Sequence, residues 1–204
     1  MRALTIDNEI ALELSYFVMA VKTFNAMDRT DINRVAQNIL VPIFAEAYGF
    51  SDLRNLDIGT HSNFPGIDLA DDTARVSIQV TSTSGIEKVK HTLDQFLLER
   101  EEFDPPLAKR YNRVIVYILT ERQRTYSQTS IDTLLAGRFA FDAAKDVWDS
   151  QTLTADIQGL PLSKKEAILE ILKRHVNGGR SFVPRDSREA PLARACMLMS
   201  RADA

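Results

Sequence analysis

A single cysteine, Cys196, stands in a chain of 204 residues. It cannot form an internal disulfide, which excludes a secreted disulfide scaffold, and it is too few for a thiolate zinc site. Long hydrophobic runs are missing as well. No stretch approaches the ~18 apolar residues of a membrane span, and the opening MRALTIDNEI lacks the apolar centre of a signal peptide. A reducing cytoplasm, with no membrane partner, is therefore the expected setting. Basic excess is absent too. With 25 Lys and Arg against 28 Asp and Glu, the net charge is -3, which excludes indiscriminate coating of nucleic acid because phosphate neutralisation needs a basic surface. The three histidines, His61, His91 and His175, are scattered and read as solvated or capping rather than as metal ligands. No internal repeat or low-complexity tract appears. What is present is 45% hydrophobic residues, enough for the packed core of one domain.

The charge is unevenly spread. Residues 177–204 carry Arg180, Arg185, Arg188, Arg194 and Arg201 against Asp186, Glu189 and Asp203, which leaves +2 on this segment and -5 on residues 1–176. The break falls at Asn177-Gly178-Gly179, a helix stop. The division is therefore a globular domain over 1–176 and an arginine-bearing tail over 177–204.

Within the domain, residues 9–26 and 32–48 carry apolar positions at helical spacing, and Pro42 is expected to kink or divide the second helix. After residue 50 the period shortens. Short strands are expected over 53–58 and 64–69. Arg75 to Thr81 alternates, with Val76, Ile78 and Val80 on one face and Ser77, Gln79 and Thr81 on the other. A helix over 85–101, capped by Ser84, presents Ile86, Val89, Leu93, Phe96 and Leu97 on one side. Arg113 to Thr120 is nearly continuous β-branched sequence and reads as a central strand buried on both faces. A polar loop over 121–130, a short helix over 131–135, a strand over 138–143 and helix over most of 144–176 complete the domain, with Ser163 capping the last helix. Trp148 reads as core, and Asp142 and Asp146 as surface. The order specifies an α/β fold in two or three layers, a mixed central sheet flanked by helices, with an N-terminal helical pair.

The segment able to carry chemistry is Asn63 to Lys90. Asp68 follows a Pro65-Gly66 bend, and Gln79 lies on the polar face of the next strand with Thr81 two residues on. A hairpin brings Asp68 beside Gln79. Carboxylate, amide and backbone oxygens suit Mg²⁺ or Mn²⁺ rather than Zn²⁺. A cation held there activates water and stabilises charge on a phosphodiester. The same residues also admit a purely structural reading. Asp68 would bond turn amides, Gln79 and Thr81 would be a strand face, and Lys88 and Lys90 a solvated helix flank.

Several motifs carry a resemblance: Asp31-Ile32-Asn33, Asn63-Phe64-Pro65-Gly66-Ile67-Asp68-Leu69, Gln79-Val80-Thr81-Ser82, and the run from Lys88-Val89-Lys90 to Phe96. Together they resemble the bacterial SMEK domain over roughly residues 9–176, and more distantly the PD-(D/E)XK nucleases. The resemblance implies a restriction-endonuclease-like core, and a metal-dependent DNA nuclease or nuclease-like effector in a bacterial anti-phage defence system, often as the N-terminal part of a larger protein. It implies Asp68 and Gln79 as metal-holding and catalytic residues and DNA as substrate. Two departures stand out. Gln79 and Thr81 occupy the places of the acid and the lysine of the nuclease pattern. A lysine moved onto the next helix replaces the lost one, with Lys88 the first choice because helical side chains lean towards the N-terminus, and Lys90 the second. The family's helical Glu aligns with Gln37, leaving Glu46 as the acid that helix offers as a further metal ligand.

The same chain supports two other readings: a catalytically inactive domain that mediates oligomerisation or binds a defence partner, and a domain that binds nucleic acid without cutting it. The apolar stretch Leu192 to Met199, flanked by arginines, admits two readings: an amphipathic segment that docks on a partner or a second copy, or a disordered chain end.

Overall fold

The computed structural model describes residues 2–29, 31–56, 64–100 and 103–177. The expectations placed on His61, Asn63 and the tail beyond Asn177 lie outside the described residues.

Two long helices open the chain, α1 over Arg2–Ala26 and α2 over Asp31–Tyr48. Helix α1 buries Ile6, Ile10, Leu14, Phe17 and Val21, a stripe at three- and four-residue spacing. Pro42 does not divide α2, which runs unbroken through it; of the kink or division expected there, the division is corrected. An interior proline costs about 3 kcal/mol. The same helix buries Ile32, Ile39, Leu40, Ile43 and Phe44, each worth about 1.5–3 kcal/mol, so tertiary packing outweighs the lost hydrogen bond.

A five-stranded mixed sheet follows, with β1 Arg54–Asn55, β2 Leu69–Asp71, β3 Val76–Thr81, β4 Arg113–Ile118 and β5 Val147–Asp149 in spatial order β1-β2-β3-β4-β5. The first two pairings are antiparallel and the last two parallel. Helices α3 (Ile86–Leu97) and α4 (Leu107–Arg110) connect β3 to β4. Helices α5 (Gln128–Leu135) and α6 (Ala143–Asp146) precede β5, and α7 (Ser150–Gln158) and α8 (Leu162–Leu172) follow it. A π-helical turn, Lys173–Asn177, extends α8.

The architecture is three-layered. Val76, Ile78, Val80, Ile115, Tyr117 and Leu119 pack under α1, α2, α7 and α8. Ala70, Val114, Val116 and Ile118 pack under α3 and α5. Strand β4 is thus covered on both faces, as its β-branched run requires. No described helix is long and apolar enough to cross a membrane.

The C-terminal half holds the larger corrections. The segment 138–143 is not a strand. Left-handed Ala136 and Gly137 end α5, and the Arg138 guanidinium turns back onto the carbonyls of Leu134 and Leu135. The Gln128 side chain then donates to Phe141 O at 2.8 Å and accepts from Ala143 N at 2.9 Å, so a side chain takes the place of a neighbouring strand. The fifth strand lies instead at Val147–Asp149, inside the stretch expected to be helical. Asp146 is buried and bonded to Arg113 at 2.8 Å rather than at the surface, and Asp142 caps α6. Neither Ser84 nor Ser163 caps its helix; Gly85 and Pro161 hold those positions.

Candidate functional site

The site is built on the Pro65-Gly66 bend. Gly66 has φ +74°, and a β-carbon there would meet Thr92 O at 2.6 Å and Phe96 N at 3.2 Å. Only glycine allows the loop to press onto the backbone of α3. Phe64 packs on Phe103, their ring centroids 4.9 Å apart, and Ile67 is buried in the α3 layer. The loop is clamped on both sides of the glycine, and Asp68 emerges from it just ahead of β2, an interior strand.

Asp68 stands immediately before β2, a correction to the strand expected over 64–69. Its N–H donates to Ile78 O at 2.9 Å and its C=O accepts from Leu56 N at 2.8 Å, so the backbone is held from both neighbouring strands. Its Oδ2 accepts from Val80 N at 2.6 Å and from Gln79 Nε2 at 2.5 Å. Gln79 is buried. Val80 and Ile78 belong to the core beneath α1 and α2, so Gln79, between them in sequence, points to the α3 side. The hairpin therefore brings Asp68 and Gln79 together, as their spacing predicts.

Thr81, at the position of the nuclease lysine, is buried, and its Oγ1 accepts from Thr83 N at 3.2 Å, shaping the turn into α3. Lys88 lies one helical turn before Thr92, the residue whose carbonyl meets Gly66, so it shares the stripe of α3 that faces the loop. It makes no ion pair among the described residues. Lys90 is rotated by about 200° from Lys88 and pairs with Glu87 at 3.3 Å. Of the two lysines, Lys88 is the one at helical spacing with Thr92.

Glu46 is not brought to the pair. It belongs to α2, on the opposite layer from Gln79, and its carbonyl accepts from Lys164 Nζ at 2.8 Å. Gln37, at the family's Glu position, is buried and accepts from Asn55 Nδ2 at 3.3 Å, and Asn55 also donates to Asn38 Oδ1 at 2.8 Å. Asn55 is the register partner of Leu69, next to Asp68. The sequence reading missed Asn55, Asn38 and Thr92. Each acts through a contact between distant segments, which no local spacing signals.

Among the described residues no three His, Cys, Asp or Glu side chains gather as a metal cage. The donor set for a hard cation is one carboxylate and one amide. That fits Mg²⁺ or Mn²⁺, which bind through one or two carboxylates while keeping waters and taking substrate phosphate oxygens. The amide of Gln79 presents its nitrogen to Asp68. Rotation of that amide by half a turn offers Oε1 instead.

A family model for the SMEK domain matches residues 9–158. The chain belongs to the SMEK-domain family. The matched span of this SMEK domain runs from α1 to α7 and contains the whole Asp68–Gln79 hairpin. No curated protein and no solved structure matches the chain at a significant level of similarity.

Proposed function

We propose that this SMEK domain is a Mg²⁺- or Mn²⁺-dependent DNA nuclease, or nuclease-like effector, of a bacterial defence system, with Asp68 and Gln79 at its centre. The observation that carries the reading is the juxtaposition of Asp68 Oδ2 and the Gln79 amide on the α3 side of the sheet. Asp68 is the anionic ligand and Gln79, with its amide turned, the second. The cation, when bound, lowers the pKa of a water and offsets charge on the phosphodiester. Lys88, near the start of α3, is the proposed cation that stabilises negative charge on a phosphate oxygen. Asn55, the register partner of Leu69, and Gly66, pressed on α3, set the backbone around Asp68.

A second reading has its own support. Asp68 Oδ2 already bonds the Val80 backbone, and Thr81 stands where the nuclease pattern has lysine. Both features suit a domain whose site has become a structural staple and whose work is to bind a defence partner, a second copy or nucleic acid.

Asp68→Asn separates the two readings, because its amide oxygen still accepts from Val80 N and spares the fold. On the nuclease reading the wild-type chain cuts plasmid DNA with Mg²⁺ or Mn²⁺, and the variant does not, at unchanged melting temperature. Equal cutting by both, or none by the wild type, sinks it.

A further inference from the structure

Of the eight large apolar side chains that stand exposed among the described residues, five lie on α1 or directly after it: Leu4, Leu12, Tyr16, Met19 and Met27. Leu12, Tyr16 and Met19 are 51%, 48% and 62% exposed. Their spacing of four and then three residues aligns them on one side of the helix, opposite the buried stripe of Ile10, Leu14, Phe17 and Val21. Beside them a groove between α1 and α7 is lined by the small residues Ala11, Ser15 and Ala155. An apolar row next to a small-residue groove is the surface on which an amphipathic segment seats.

The tail has the matching pattern. Leu192, Cys196 and Met199 repeat the same four-then-three spacing. The end of the described chain is tied to α1. Lys173, in the last turn before the tail, bonds Glu9 on α1, and Glu9 is one helical turn from Leu12. From Asn177 to Leu192 are fifteen residues, which span up to about 50 Å when extended. Helix α1, at 25 residues, is about 37 Å long, so every position of the row is within reach. The charges agree as well, because the tail is +2 and the rest of the chain -5.

We infer that the segment Leu192–Met199 packs in cis along the outer face of α1, against Leu12, Tyr16 and Met19. The tail then covers the apolar row of its own domain, on the layer opposite Asp68 and Gln79, and the interaction does not depend on whether that site is catalytic.

Because Cys196 is the chain's single cysteine, it serves as the probe. The full chain carrying Tyr16→Cys is oxidised with glutathione disulfide at low protein concentration and compared with Thr133→Cys, an exposed position on α5 in the other layer. A docked segment raises the local thiol concentration. The expected result is an intramolecular disulfide in Tyr16→Cys that forms at least about tenfold faster than in the control, with Leu12→Cys and Met19→Cys also ahead of it. Equal rates in all variants overturn the inference. Disulfide-linked dimers in place of intramolecular closure also overturn it, because they assign the row to a second copy. Melting temperatures of the reduced variants verify that each is folded before rates are compared.

Discussion

A β-carbon on Gly66 would stand 2.6 Å from the carbonyl oxygen of Thr92. This contact locks the loop before Asp68 onto α3, and α3 in turn carries Lys88. The loop that leads into Asp68 and the helix that carries Lys88 are therefore positioned against each other by a close approach at a single glycine.

Gly66→Ala combines two costs. An alanine at φ +74° loses about 1–2 kcal/mol, and the overlap with backbone, which cannot swing aside as a side chain does, adds about 1–3 kcal/mol. The expected loss is about 2–5 kcal/mol in urea unfolding. Gly49, at φ +75° with open space around it, is the control. Gly49→Ala costs only the conformational part. Equal effects at the two positions would show that the loop does not rest on α3.

Hydrophobic period made much of the fold legible. The alternation in β3, the β-branched run of β4 and the stripe of α3 each point to one structure, and the hairpin register follows from the distance between Asp68 and Gln79. Local pattern failed where a distant side chain decided the backbone's partners. Phe139 and Phe141 alternate as a strand does, yet Gln128 takes up the Phe141 carbonyl and the Ala143 amide. Val147–Asp149 is only three residues long and runs directly into α7, whose cap is Asp149, so it has too little sequence to show a period. Pro42 does not divide its helix for the opposite reason, since burial of its neighbours outweighs a local rule.

Lys165 and Asp7 form an ion pair of 2.8 Å between α8 and α1, with side chains only 7% and 17% exposed. Removing one partner strands the other charge in the core. Lys165→Ala is expected to cost about 3–5 kcal/mol, whereas Lys165→Met with Asp7→Leu together is neutral or stabilising. Chemical denaturation of the three proteins checks this. A single variant within about 1 kcal/mol of wild type would show that the pair is effectively solvated.

Asp72 gathers Arg110 at 2.8 Å, the Tyr111 hydroxyl at 2.9 Å and the Arg54 guanidinium. The Arg110 hydrogen bond foremost, with help from Arg54 and Tyr111, holds its carboxyl well below the ordinary carboxylate range. The folded state therefore binds this proton more weakly than the unfolded chain. The stabilisation is complete above the unfolded value of about 3.9 and is lost as pH falls through the lower folded value. Asp72→Asn is expected to reduce the acid-induced loss in urea midpoint between about pH 6 and pH 3. The difference narrows with added salt, because the group is a third exposed. Identical acid limbs in the two proteins would remove Asp72 from the pH response.

Gln79→Glu tests the cation reading without relying on cleavage. It sets a second carboxylate against Asp68 Oδ2 at a buried position, where like charges oppose each other and a donor to Asp68 is lost. In EDTA the variant is expected to be about 1–3 kcal/mol less stable than wild type. A cation that bridges the two carboxylates reverses this. At about a hundred times its dissociation constant it returns about 2.7 kcal/mol, read as a rise in melting temperature on adding Mg²⁺ or Mn²⁺. The wild-type rise is smaller, because an amide is the weaker ligand for a hard ion. Asp68→Asn combined with Gln79→Glu keeps one carboxylate and should lose most of the variant's response. If Mg²⁺ and Mn²⁺ move none of these melting temperatures, the Asp68–Gln79 pair is a structural staple, and the function of this SMEK domain lies in what it binds.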